Sequence, residues 1–142
     1  MNFEKKNGMI QVGDTYQSEF SFSQEEVNRF AELTGDRNPI HIDSEYAAST
    51  QFKKPIMHGV LSASIFSKIL GMEFPGKGTI YMGQEIQFKR PMFPSELYEA
   101  KCEVVSTNER RHIAIIQTEV YHKKTGKQTI SGKATVLNSE RV

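Results

Sequence analysis

The stretch His58-Gly59-Val60-Leu61-Ser62-Ala63-Ser64-Ile65-Phe66-Ser67-Lys68-Ile69-Leu70-Gly71 decides how this chain folds. Wound as a helix, it spreads Val60, Leu61, Ala63, Ile65, Phe66, Ile69 and Leu70 around the whole cylinder. A helix apolar on nearly all sides must be buried on nearly all sides. Val60 to Leu70 is about half the ~20 residues needed to cross a bilayer, and serines interrupt it. Its cover must therefore be protein. The sequence after it supplies that cover as strands. Ile80, Met82, Ile86 and Phe88 fall at two-residue spacing between Thr79 and Lys89. Tyr98, Ala100, Cys102 and Val104 repeat the alternation, and Ile113 to Tyr121 and Thr129 to Leu137 add two more strands. Thr125-Gly126 and Ser106-Thr107-Asn108-Glu109 read as turns between them. With a further strand over Thr15 to Phe22, the reading is about five antiparallel strands and one buried helix. Such a sheet hides the helix only by curling round it, which predicts a two-layer α+β fold.

Upstream, Ser23-Gln24-Glu25-Glu26 is an S-x-x-E capping box, in which hydroxyl and carboxylate close each other's free backbone donors. The helix it opens carries Val27, Phe30, Ala31 and Leu33 and stops at Gly35. Asp43-Ser44-Glu45 opens another short helix through Tyr46, Ala47 and Ala48. No repeat period, low-complexity tract or linker interrupts the chain, so residues 1–142 read as a single domain.

Composition narrows the function classes. The 142 residues carry a net charge of +1, which argues against a general nucleic-acid binder that needs a basic surplus. One cysteine, Cys102, excludes an intrachain disulfide and zinc sites built from paired cysteines, and fits a reducing cytosol. The opening MNFEKKNGMIQVGD is charged and lacks an apolar run, so no signal peptide is expected. The expectation is a soluble, cytoplasmic protein with no membrane association.

Dinucleotide-binding, phosphate-loop, nucleophile-elbow and HExxH zinc signatures are all missing. The chemistry concentrates in Thr34-Gly35-Asp36-Arg37-Asn38-Pro39-Ile40-His41. Pro39 stiffens this loop and pushes Asn38 into an extended conformation. An acid and an imidazole thus lie five residues apart on a rigid backbone, suited to acid–base work on a bound water. The competing reading is that Asp36 caps the following turn and His41 is an ordinary loop histidine.

The pattern Phe30-x-x-Leu33-Thr34-Gly35-Asp36-x-Asn38-Pro39-Ile40-His41, then five residues and Ala47, is similar to the signature of the MaoC-like (R)-specific enoyl-CoA hydratases. Lys54-Pro55-Ile56-Met57-His58-Gly59-Val60-Leu61 with Ser64, Phe66 and Ser67 resembles the next block of that family. Gly76-Lys77-Gly78-Thr79-Ile80-Tyr81, Phe88 and Pro91 resemble a third. The likeness spans nearly the whole chain, and no position expected to be functional departs from it. It implies a hot-dog fold, a curved antiparallel sheet wrapped around one long helix, and a two-fold homodimer with sites near the interface.

The implied reaction is reversible syn addition of water to a trans-2-enoyl thioester, giving the (R)-3-hydroxyacyl thioester. Asp36 would be the main base and His41 would orient the water and share the return of a proton. Gly59, at the helix N-terminus, would offer a backbone N–H to the carbonyl oxygen as it gains charge, or would serve only a tight turn into the helix. Asn38 would buttress the loop and Ser67 would stand behind the catalytic pair, with an Asn-Pro turn and a self-satisfied helix serine as the plainer alternatives. His58 reads as a capping or packing residue, and His112 and His122 as surface residues. Lys53-Lys54 and Lys89-Arg90 could meet coenzyme A phosphates. Ile65, Ile69, Leu70 and Phe88 could line an acyl tunnel, though a core role fits each better. No metal and no cofactor are expected beyond the coenzyme A carried by the substrate. The alternatives are a dehydratase acting on acyl-carrier-protein thioesters, a hot-dog thioesterase and a non-catalytic acyl-CoA-binding module.

Overall fold

All five strands read from the alternation form, and they pair into one antiparallel sheet. The computed structural model describes residues 8–142; the first seven residues of the stretch 1–14, read as not a signal peptide, lie outside these. The elements are β1 (Thr15–Phe20), α1 (Gln24–Thr34), α2 (Pro39–Ile42), α3 (Ser44–Ala48), α4 (Gly59–Met72), β2 (Ile80–Phe88), β3 (Tyr98–Asn108), β4 (Ile113–His122) and β5 (Gln128–Leu137). The strand order is β1-β3-β4-β5-β2, so β1 and β2 are the edges. Register shifts at Tyr81/Gly83, Val104/Ser106 and Val120/Tyr121 interrupt the ladders. Such bulges bend strands and increase their twist, which lets the sheet curl over a helix.

That helix is α4. Leu61, Ile65, Phe66, Ile69 and Leu70 join Tyr98, Ala100, Cys102 and Val104 of β3, Ala114, Ile116 and Val120 of β4, and Ile130, Ala134 and Val136 of β5 in one core. Full burial of side chains such as Phe66, Ile69 and Leu70 is worth about 1.5–3 kcal/mol each. The arrangement is a hot-dog fold of the α+β class. Ile65, Ile69 and Leu70 are core residues, as their sequence positions suggested.

Four expectations change. First, α4 is buried on one side only: Val60 is 69% and Met72 74% exposed, and Ser64, Ser67 and Lys68 share that open side. Second, the apolar alternation of β2 is not covered within this chain, because Ile80, Met82 and Phe88 are all more than half exposed on an edge strand. Third, Ser106 to Asn108 continue β3 past its bulge, and the turn falls at residues 109–112. A bulge shifts the alternation by one residue, so the polar stretch beyond it looks like a turn while still pairing. Fourth, His112 and His122 are half-buried and bonded: His112 Nδ1 lies 2.7 Å from the Val142 carbonyl, and His122 Nε2 lies 2.7 Å from Glu96 Oε1.

Candidate active site

The acid–base loop is built by caps. The capping box at Ser23 and Glu26 starts α1 as expected, and Gly35 ends it at φ 82°, with its N–H bonded to the Ala31 carbonyl. That left-handed residue turns the chain back. The Asp36 N–H then bonds Thr34 Oγ1 at 3.2 Å, and Asp36 Oδ1 accepts the Asn38 N–H at 3.3 Å. Asn38 is extended, at φ −53° and ψ 122°, and its Oδ1 accepts the Ile40 N–H at 3.3 Å. Asn38 is thus the N-cap of α2, with Pro39 in its first turn. The sequence reading treated this stretch as loop; Asn-Pro at N-cap and first position was the available signal. Asp36 does cap the following turn, but that duty occupies one carboxylate oxygen and is compatible with acid–base work by the group.

His41 sits on α2, where its ring is fixed from behind. Its Nδ1 is 2.8 Å from the Ile56 carbonyl. A carbonyl only accepts, so Nδ1 carries the hydrogen and the neutral ring presents a bare Nε2. The Ile56 N–H bonds the Ile40 carbonyl in return, and the Met57 N–H bonds Met92 at 2.8 Å. This brace locks α2 to the segment that enters α4. Burial of the half-exposed His41 ring holds its pKa below the usual 6.5, against the bond to Ile56 and the Asp36 charge, which pull it upward. His41 is therefore a neutral base near pH 7.

His58 joins this pair; of its two readings, cap or packing residue, the packing one holds. It occupies the N-cap position of α4 but makes no side-chain cap bond. It is 3% exposed, its Nε2 is 2.9 Å from the Asp36 carbonyl, and its ring centroid is 3.9 Å from that of His41. Asp36, His41 and His58 each place one ligand-type atom within 4.8 Å of the others. A cation could in principle use such a cluster. However, one nitrogen of each imidazole already donates to a carbonyl, and the other nitrogen of His58, Nδ1, is sealed from solvent. The open Asp36 carboxylate and the bare His41 Nε2 suit a bound water better.

A cavity of about 430 Å³ opens beside the cluster, with His41, Ile56, Gly59, Phe88, Lys89 and Arg90 in its wall. Asp36, Asn38 and Ser67 are not in that wall. Gly59 begins α4, and the N–H groups of a first helical turn have no partner within the helix. Its backbone is not in the left-handed region, so a tight turn does not demand glycine here. Space does: a Cβ would lie 2.9 Å from Phe88 Cε1 and Cζ. Of the basic pairs, Lys89 and Arg90 border the cavity, while Lys54 is engaged by Glu96 at 3.3 Å and lies over the Phe93 ring. Ser67 lies eight residues beyond Gly59, about 12 Å along the helix axis, on the open side of α4.

Comparison with known proteins places this geometry among relatives. The family model described as MaoC like domain matches residues 9–128. The (R)-specific enoyl-CoA hydratase of Aeromonas caviae is 40% identical over 127 residues, covering 89% of this chain and 94% of that one. The mitochondrial 3-hydroxyacyl-[acyl-carrier-protein] dehydratase of Solanum lycopersicum is 30% identical over 133 residues, covering 92% and 79%. Among solved structures, the (R)-hydratase from A. caviae involved in PHA biosynthesis superposes with a TM-score of 0.87 at 40% identity, covering 91% of this chain and 97% of that chain.

Proposed function

The chain belongs to the MaoC-like domain family, and from that premise we propose that it is an (R)-specific enoyl-CoA hydratase, a hydro-lyase. The observation that carries the reading is the pairing of the Asp36 carboxylate with a His41 ring whose bare nitrogen is set by the Ile56 carbonyl. A water held between them loses a proton to Asp36 as its oxygen bonds Cβ of the trans-2-enoyl thioester. One proton then returns to Cα, with His41 sharing the transfer, and both groups end in their starting charge. Positioned acid–base groups of this kind supply roughly 10²–10⁴-fold. Both act from one side of the substrate, so the addition is syn.

As water attacks, negative charge grows on the thioester oxygen. The free N–H of Gly59, aided by the α4 dipole, stabilises it. Asn38 holds the turn that spaces Asp36 from His41. Lys89 and Arg90 at the cavity border meet coenzyme A phosphates. Coenzyme A enters as part of the substrate, and neither metal nor other cofactor has a step to perform. Residues 1–142 act as one hydratase domain.

The homodimer belongs to the same proposal. The uncovered apolar residues of the β2 edge and of α4 lie on neighbouring elements. Unpaired edges and large apolar patches mark surfaces that another chain covers. Ser67 on that side of α4 takes part once a second copy covers it. No helix among the described residues is long and apolar enough to cross a membrane, and the single buried cysteine suits a reducing cytoplasm. The test is purified protein with crotonyl-CoA, followed by loss of enoyl absorbance. Turnover of carrier-protein thioesters alone would favour the dehydratase, and thiol release without hydration a thioesterase. Inactivity on enoyl thioesters of every length and carrier would sink the proposal.

A further inference from the structure

Among the described residues, the other hydrogen bonds of residues 35–38 join partners within four positions in the chain. The exception is the bond from His58 Nε2 to the Asp36 carbonyl, which spans 22 positions. A segment this exposed, held only by local turns, has little to fix it against the rest of the fold. His58 is the opposite kind of residue. It is 3% exposed, and its ring lies between Phe30, at 4.8 Å edge-on, and His41, at 3.9 Å. Its carbonyl accepts the N–H and hydroxyl of Ser62, which fixes it to the start of α4.

The Asp36 carbonyl can only accept, so His58 Nε2 carries the hydrogen. Its Nδ1 is buried without a partner. A buried unsatisfied nitrogen is costly, and native structures keep such groups at few places, often functional ones. Nothing in folding demands an imidazole here: no cap bond is made, and an apolar side chain would pack against Phe30 without stranding a polar atom.

We propose that His58 is a positioning residue for the hydration, whose Nε2–H pins the Asp36 backbone and whose ring backs His41, so that carboxylate and imidazole stay at water-bridging distance. The inference rests on the hydratase reading for its activity arm alone.

The experiment compares wild type with His58→Gln, His58→Asn and His58→Phe. A glutamine amide reaches the position of Nε2 and keeps the donor; asparagine is too short, and phenylalanine keeps the ring without the donor. With crotonyl-CoA, His58→Gln should hold kcat within about threefold. His58→Asn and His58→Phe should lose roughly 30–100-fold in kcat with KM changed less than about twofold, since ~1 Å of misplacement costs about 10²-fold. The second readout needs no turnover: ¹⁵N order parameters of residues 35–38 should fall from about 0.85 to below ~0.6 in the Asn and Phe variants and not in Gln. If His58→Phe does not fold, His58→Asn carries the comparison. Wild-type kcat and rigid residues 35–38 in either donor-less variant would overturn the proposal, as would His58→Gln behaving like them. An inactive wild type whose loop still loosens in those variants would count against the hydratase reading and leave the pinning intact.

Discussion

Gly59→Ala tests the carbonyl-binding end of the site through a contact that can be worked in numbers. The new methyl would lie 2.9 Å from Cε1 and Cζ of Phe88 and 3.2 Å from Cδ1. Carbon atoms settle at about 3.5–4.0 Å, so the ring must retreat by roughly 0.6–1 Å. Phe88 is half exposed, so it can swing outward and leave the backbone in place. An off-rotamer ring costs about 0.5–1.5 kcal/mol. Replacing glycine with alanine in a helix returns about 0.5–1 kcal/mol. The net effect on stability is within about 1 kcal/mol, a shift in Tm of no more than about 4 °C. Activity should respond on another scale. Alanine keeps the backbone N–H, but its methyl and the displaced Phe88 ring stand in the cavity wall and hold the thioester oxygen away from that donor. Denying a developing oxyanion one donor costs about 10²–10³-fold in kcat. The assay is kcat and KM on crotonyl-CoA beside a thermal melt. A double variant with Phe88→Ala should show coupling of at least ~0.5 kcal/mol in stability, because the clash partner is gone. A Gly59→Ala protein with kcat within threefold of wild type would refute the close approach of the thioester oxygen to this N–H. A collapse in Tm would show that the glycine serves folding instead.

Asp36→Asn keeps an oxygen for the Asn38 N–H and removes the base, so kcat should fall about 10²–10⁴-fold with an unchanged melt; near wild-type turnover would remove Asp36 from the chemistry. The lowered pKa of His41 means the unfolded chain binds a proton before the folded one as pH falls. Its contribution to stability is therefore complete above about pH 6.5 and is lost as pH drops through the lower folded value, and the acid limb of kcat should also lie below 6.5. Melts of wild type and His41→Gln between pH 7.5 and 5 should converge at the acid end. Met82→Glu, on the uncovered β2 edge, should leave the monomer fold intact by circular dichroism and shift a dimer toward monomer by light scattering.

The sequence made the core legible because its signals are local. The capping box at Ser23 names the start of α1, and two-residue alternation in Tyr98 to Val104 names an inner sheet face. Asp36 and His41 stood out because one rigid stretch carries both. What lay out of reach depends on contacts distant in the chain. Nothing around His58 announces that its ring crosses to the Asp36 carbonyl, 22 positions away. The need for glycine at 59 comes from Phe88, on another element. The bulge in β3 hid three paired residues by breaking the alternation that reveals strands. The helix and the β2 strand misled in one shared way: their patterning counts apolar surface to be covered, whichever chain supplies the cover.

Hydration of crotonyl-CoA in D₂O tests the central claim most directly. Asp36 and His41 deliver oxygen to Cβ and a proton to Cα from one side of the substrate. The product should be (R)-3-hydroxybutyryl-CoA, with deuterium at Cα and the hydroxyl at Cβ added to the same face, as read by NMR of the coupled product. An anti relationship, or the S alcohol, would contradict the account.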